Sequence, residues 1–178
     1  MELIKKSVLA LSVFVAASSV QALEVSSRDI REGYPMAKTF EFNEFGCNGS
    51  NLSPQLSWTD VPKGTKSFAI TAYDPDAPTG SGFWHWIAYD IPATVTQVPR
   101  GVNIARLGGK VARIDYGFAS FGGACPPVGD GMHRYQFTIW ALPTETLNLG
   151  TNTPPALFGF NLNSMALDKA VLTSTYTR

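Results

Sequence analysis

The chain has 178 residues, 44% of them hydrophobic and 16% charged, with 14 basic and 14 acidic side chains that cancel to a formal net charge of +0. That length fits one domain able to bury a core, and 16 Gly and 12 Pro make it rich in turns. The neutral balance excludes a nucleic-acid binder that works by neutralising many phosphates, which would carry a basic excess or a basic stripe.

Residues 1–22 read as a secretory signal. Lys5 and Lys6 form a positive start, Val8 to Ala17 is a mainly apolar stretch of ten residues, and Val20, Gln21 and Ala22 supply small residues for cleavage. Such a stretch is too short for a bilayer, which needs about twenty residues, and no later segment is long and apolar enough to span one. Without Glu2, Lys5 and Lys6, the remaining residues 23–178 form a single domain that is formally −1. Export to the periplasm, or beyond the cell, is the expected location.

An oxidising compartment changes the reading of the cysteines. There are two, Cys47 and Cys125, and an even count suggests one disulfide. Closing so long a loop would stabilise the fold by up to about 4.5 kcal/mol in the chain-entropy model. Two free thiols are the alternative. A catalytic cysteine is weakly supported, because Pro126 and Pro127 follow Cys125 directly and no local pattern supplies an activating base.

Further along, the periodicity predicts strands over Phe68–Asp74, Phe83–Ile91 and Arg134–Leu142, bounded by Gly and Pro turns. Alternation places His133, Tyr135, Phe137, Ile139 and Ala141 on one face of the third strand. The same rule sets Asp74 beside Phe68, Ile70 and Ala72, and His85 beside Phe83, Ile87 and Tyr89. Ala93–Ile114 has little periodicity and reads as a long surface loop. A helix is expected over Asn161–Val171, capped by Asn161 or Asn163, followed by a last strand over Leu172–Tyr176. Short strands with one helix near the end imply a mostly β chain, a sandwich with helical decoration.

The chemistry concentrates in two segments. In the first, Asp74-Pro75-Asp76-Ala77-Pro78 leads into Phe83-Trp84-His85-Trp86. Proline after Asp74 stops the strand and presents both carboxylates on a stiff turn, from which either one could reach the imidazole of His85 on the next strand. In the second, Gly122-Gly123-Ala124-Cys125-Pro126-Pro127 is followed by Gly129-Asp130-Gly131-Met132-His133-Arg134-Tyr135. Glycines let backbone approach a ligand and prolines fix the shape of a wall, while His133 and Tyr135 can offer ring nitrogens and a phenol to an anion. The plain alternatives are a turn whose aspartates cap amides, a satisfied core histidine and a glycine-rich hairpin.

Together these segments, with Asn51-Leu52-Ser53-Pro54-Gln55-Leu56-Ser57-Trp58 before them and Phe137 after them, resemble the phosphatidylethanolamine-binding protein family. This family is also known as the Raf kinase inhibitor protein family, and the resemblance is to an exported form of its bacterial YbhB/YbcL branch. It spans roughly residues 40–178, with three separated motifs in register. It implies a Greek-key β-sandwich with one or two short helices near the C-terminus and a small anion-accepting pocket at one end. The residues it assigns to that pocket are Asp74, Asp76, His85, Pro126, Pro127, His133 and Tyr135. The implied ligand is a phosphate-like small anion or a phospholipid head group, with no catalytic turnover, no metal and no cofactor. Several members act by binding a kinase or a protease, so an interaction module working through loops such as Thr94–Ile104 on a kinase, protease or host factor is the second reading. Near Tyr176 the resemblance departs from animal members, and no further C-terminal helix covering the pocket is expected.

Two carboxylates beside an anion site require cations. The expectation is that each aspartate hydrogen-bonds an imidazole and raises its pKa, leaving the outward N–H for the ligand. A metal site is disfavoured by the spacing of the same residues. A serine hydrolase is disfavoured by the lack of a G-x-S-x-G elbow.

Overall fold

In the computed structural model of the protein, residues 21–178 are described; nearly all of the signal segment read from sequence lies outside them. Eight strands and one α-helix follow in chain order: β1 (Glu24–Ser26), β2 (Leu56–Thr59), β3 (Ser67–Asp74), β4 (Phe83–Pro92), β5 (Gln97–Val98), β6 (Lys110–Val111), β7 (His133–Leu142), α1 (Pro155–Met165) and β8 (Asp168–Tyr176). They form a three-stranded sheet ordered β1-β2-β5 and a five-stranded sheet ordered β6-β4-β3-β7-β8. The pairs in both sheets are antiparallel.

The larger sheet is covered on both faces, which is why β3 reads as an almost unbroken apolar run rather than a strict alternation. One face carries Phe68, Ile70 and Ala72 with Tyr135, Phe137, Ile139 and Ala141, packed against Leu56, Trp58 and Val98 of the smaller sheet. Trp58 meets Phe68 edge to face, ring centroids 5.2 Å apart. The opposite face carries Ala69, Ile87, Tyr89 and Trp140 and is closed by Phe158 and Leu162 of α1. The alternation expected for β7 is therefore the alternation observed.

That second cover corrects the expected helix. It starts at Pro155, whose fixed φ suits the first helical turn, and ends at Met165. Asn161 and Asn163 lie inside it, each hydrogen-bonding backwards to the carbonyl four residues earlier. Residues 168–171, read as helix, instead extend β8, because pairing with β7 runs as far as Asp168 opposite Ala141. The tertiary ladder outweighs a local apolar spacing. Gly159 allows the helix to press on the sheet, since a Cβ there would come within 2.8 Å of the Trp84 ring.

The stretch read as a loop, Ala93–Ile114, contains β5, a 3-10 turn over Ile104–Leu107 and β6. Val98, Ile104, Ala112 and Ile114 in it are buried. Its anchors are single apolar residues between turns, too sparse to give a period.

Leu162 is buried in this outer cover while Phe160, two residues before it, is 69% exposed. Leu162→Ala is expected to lower stability by about 2–5 kcal/mol and Phe160→Ala by no more than about 0.5 kcal/mol, as read from urea unfolding midpoints at constant slope.

Candidate functional site

A pocket of about 490 Å³ opens where the C-terminal end of β3 meets the starts of β4 and β7. Asp74, Phe83, His85 and His133 come from those strand ends; the 77–79 turn, Tyr116, Cys125, Pro126 and Pro127 complete most of the wall. Polar groups at strand ends thus converge because the three strands are neighbours, β4-β3-β7.

Asp74 answers to both readings made from sequence. Its Oδ1 accepts the amide of Asp76, capping the turn at 2.9 Å, while Oδ2 lies 2.8 Å from Nδ1 of His133. Both side chains are almost wholly buried. The other ring nitrogen of His133, Nε2, is 3.2 Å from Oδ2 of Asp130. Burial alone would lower the pKa of this imidazole, but the carboxylates of Asp74 and Asp130 outweigh it and hold the pKa above its ordinary value. Both ring nitrogens of His133 thus face carboxylate oxygens.

Asp76 stands apart from the pocket lining. Its Oδ2 accepts the backbone amide and Nε of Arg134, and its Oδ1 accepts from a terminal guanidinium nitrogen at 2.7 Å. This two-pronged grip lowers the Asp76 pKa. It also ties the turn after β3 to the start of β7, and so fixes the distance between Asp74 and His133.

His85 departs from the expected arrangement. Ala72 pairs with Trp86 and Tyr73 with Trp84, so His85 is the extra residue of a β-bulge. The bulge reverses the alternation: Trp84 and Ile87 face α1, while Trp86 joins the inner core. His85 therefore lies against Tyr135, ring centroids 5.1 Å apart, instead of sharing a face with Ile87 and Tyr89. No aspartate hydrogen-bonds it. Nδ1 donates to the carbonyl of Gly122 at 2.9 Å, and burial pushes the pKa down to about 4 against the pull of that carbonyl and of Asp74. At neutral pH this imidazole is uncharged, with its proton on Nδ1 and a lone pair on Nε2. The expectation of two carboxylate-paired imidazoles with raised pKa values is thus corrected: His133 is so paired and shifted, and His85 is not.

Tyr135 is buried behind these groups, and its hydroxyl makes no hydrogen bond to the described protein atoms. Burial and the charge of Asp74 raise its pKa, so it is a neutral phenol.

The wall that holds His85 is built from backbone. Gly123 N donates to Oδ1 of Asn51 at 2.7 Å, and Ala124 exchanges bonds with Phe40 and Phe42. A Cβ on Gly123 would sit 2.4 Å from the Phe40 carbonyl oxygen, so this approach requires glycine. The asparagine of the first motif thus positions the Gly122 carbonyl that sets the His85 tautomer. Cys47 and Cys125 bring their sulfurs to 2.04 Å. Pro126 beyond them is buried and Pro127 exposed.

Several lining residues escaped the sequence reading: Phe45, Asp115, Tyr116 and Arg178. The stacked rings of Phe42, Phe45 and Tyr116 come from distant segments with no shared period. Asp130 was visible three residues before His133, but only the folded turn brings it onto Nε2. Among the described residues no group of three or more His, Cys, Asp or Glu side chains is placed to hold a metal ion, and no helix is long and apolar enough to cross a membrane.

Comparison with known proteins agrees with this geometry. The model of the phosphatidylethanolamine-binding protein family matches residues 26–177. The chain belongs to that family. It is 47% identical to YbcL of Escherichia coli K12, over 98% of this chain and 97% of that protein. It is 40% identical to YbhB of the same organism, over 87% and 100% respectively. The crystal structure of E. coli YbcL superposes with a TM-score of 0.85 at 46% identity, covering 89% of this chain and 99% of that one. A family homologue from Chlamydia trachomatis gives 0.75 at 26% identity, covering 88% and 98%. The fold is the β-sandwich of this family.

The two histidines give the phosphatidylethanolamine-binding fold here opposite responses to pH. His85 has a folded pKa near 4, below the ordinary 6.5, so the unfolded chain binds the extra proton between those values and stability falls as pH drops through that window, by up to about 3 kcal/mol. His133, with a raised pKa, contributes fully below the unfolded value and loses its contribution as pH rises through the folded one. Urea midpoints at pH 7, 5.5 and 4.5 should fall in the wild type, and fall less in His85→Gln.

Proposed function

We propose that this protein is a non-enzymatic binding protein whose pocket takes a phosphate-like anionic group, and that it acts in the periplasm after removal of residues 1–22 as a signal. The observation that carries this reading is that Nε2 of His133 already holds an anionic oxygen, supplied by Asp130. That carboxylate is on an exposed turn between Gly129 and Gly131, whose φ values are +81° and +95° and beside which a Cβ would touch nothing within 4 Å. An incoming oxyanion replaces one negative oxygen by another on the same N–H, while Asp74 behind the ring preserves its charge.

His85 refines the ligand. Its free Nε2 accepts a hydrogen bond, so the pocket suits a group with both acceptor oxygens and one donor, as in a phosphate carrying a single proton. Asp74, His85, Pro126, Pro127 and His133 line the pocket in this reading. Tyr135 backs His85, and Asp76 acts through Arg134. The exported location is supported by the three-part pattern of residues 1–22. It is also in keeping with Cys47 and Cys125, which we take as an in-chain disulfide. No nucleophile is assigned, because among the described residues no serine or cysteine side chain hydrogen-bonds either histidine.

The test is an NMR titration of inorganic phosphate followed at the two histidine rings. Saturable shifts are expected at pH 6, with weaker binding as pH rises through the His133 value and its Nε2 proton is lost. Asp130→Asn, which removes the internal competitor's charge, should bind several-fold tighter. Affinity unchanged in His133→Ala would overturn the reading.

A further inference from the structure

Around the two histidines the pocket gathers more carboxylates than cations. Asp74 and Asp115 line it, Asp130 reaches into the same imidazole, His85 is neutral, and the single charge of His133 is shared between two carboxylates. An anion entering such a site needs a second cation, one not already neutralised.

Arg178 lines the same pocket. β7 and β8 are paired so that His133 faces Tyr176, and the chain then runs two residues past the end of the strand to the pocket wall. There the backbone oxygen of Arg178 accepts the amide of Gly129, and its Nε donates to the carbonyl of Pro126 at 3.0 Å. Gly46 lies beside the guanidinium, and a Cβ there would sit 3.4 Å from one terminal nitrogen. Arg100 and Arg134 each grip an aspartate with two prongs. Among the described residues no Asp or Glu side chain lies within 4.0 Å of the Arg178 guanidinium, and its terminal nitrogens make no side-chain hydrogen bond. A planar fork fixed at Nε by a neutral carbonyl has a preset orientation, and its charge is also felt by the Glu41 carboxylate.

We propose that Arg178 is a ligand-binding residue of this pocket, its terminal nitrogens receiving the oxyanion that His133 holds from the other side. The assignment rests on the anion-pocket reading above and adds its source of charge. The chemistry recognised is a phosphoryl oxyanion, whether free or in a lipid head group.

The purified protein is titrated with inorganic phosphate and, in parallel, with glycerophosphoethanolamine, following the His133 ring and the Arg178 Nε–H signal. Saturable shifts of both signals in the wild type, roughly ten- to a hundredfold weaker binding in Arg178→Gln and intermediate affinity in Arg178→Lys support the assignment. The tighter of the two ligands names the source of the oxyanion. Since Arg178 is only partly buried beyond the last strand, a dispersed spectrum is expected from both variants and verifies folding. Wild-type affinity in a folded Arg178→Gln overturns the assignment alone; absence of saturable binding in the wild type overturns the pocket reading and the assignment with it.

Discussion

Burying a carboxylate costs several kcal/mol unless its charge is met, and Asp74 is buried at the mouth of the main sheet. What meets it is the imidazole of His133, 2.8 Å away on the neighbouring strand. That pair constrains the rest of the site. It favours the charged imidazole, fixes which ring nitrogen faces outward, and ties the end of β3 to the start of β7. The Asp76–Arg134 fork beside it, bonded at 2.7 to 2.9 Å, keeps the two strand ends from sliding. The turn carrying two aspartates is thus one device with two duties, one residue for the site and the other for the frame.

The second histidine shows how one residue type is given another role by backbone geometry. A bulge turns His85 inward, a carbonyl fixes its proton, and the lack of a carboxylate partner lets burial keep it neutral. One ring then presents a donor and the other an acceptor, which is a more selective arrangement than two equal cations. The wall segment from Gly122 to Pro127 matters as much as the side chains, because its carbonyls orient both His85 and Arg178.

Much of the frame was legible in advance. β3, β4 and β7 have strong runs of β-forming residues between Gly and Pro turns, and their observed ends differ from the expected ones by a residue at most. The helix and β8 were misplaced because residues 168–171 have a local spacing that fits a helix, whereas the open edge of β7 takes them as strand. The motif histidines stood out because they are the 2 histidines of the chain. Arg178 did not stand out, since a single basic residue after a strand has no pattern around it.

By itself the sequence determined the β-rich class, the apolar rows, the stiff Asp-Pro-Asp turn and the identity of the groups available for chemistry, because these follow from residue type and period over a few neighbours. The tertiary structure alone decided which carboxylate meets which imidazole, that Asp76 serves Arg134, that His85 is neutral and that Asp130 and Arg178 approach the pocket. Those outcomes depend on a one-residue bulge and on strand register between segments about sixty residues apart, as for Asp74 and His133. Alternation along a single strand cannot register an inserted residue until the partner strand is in place.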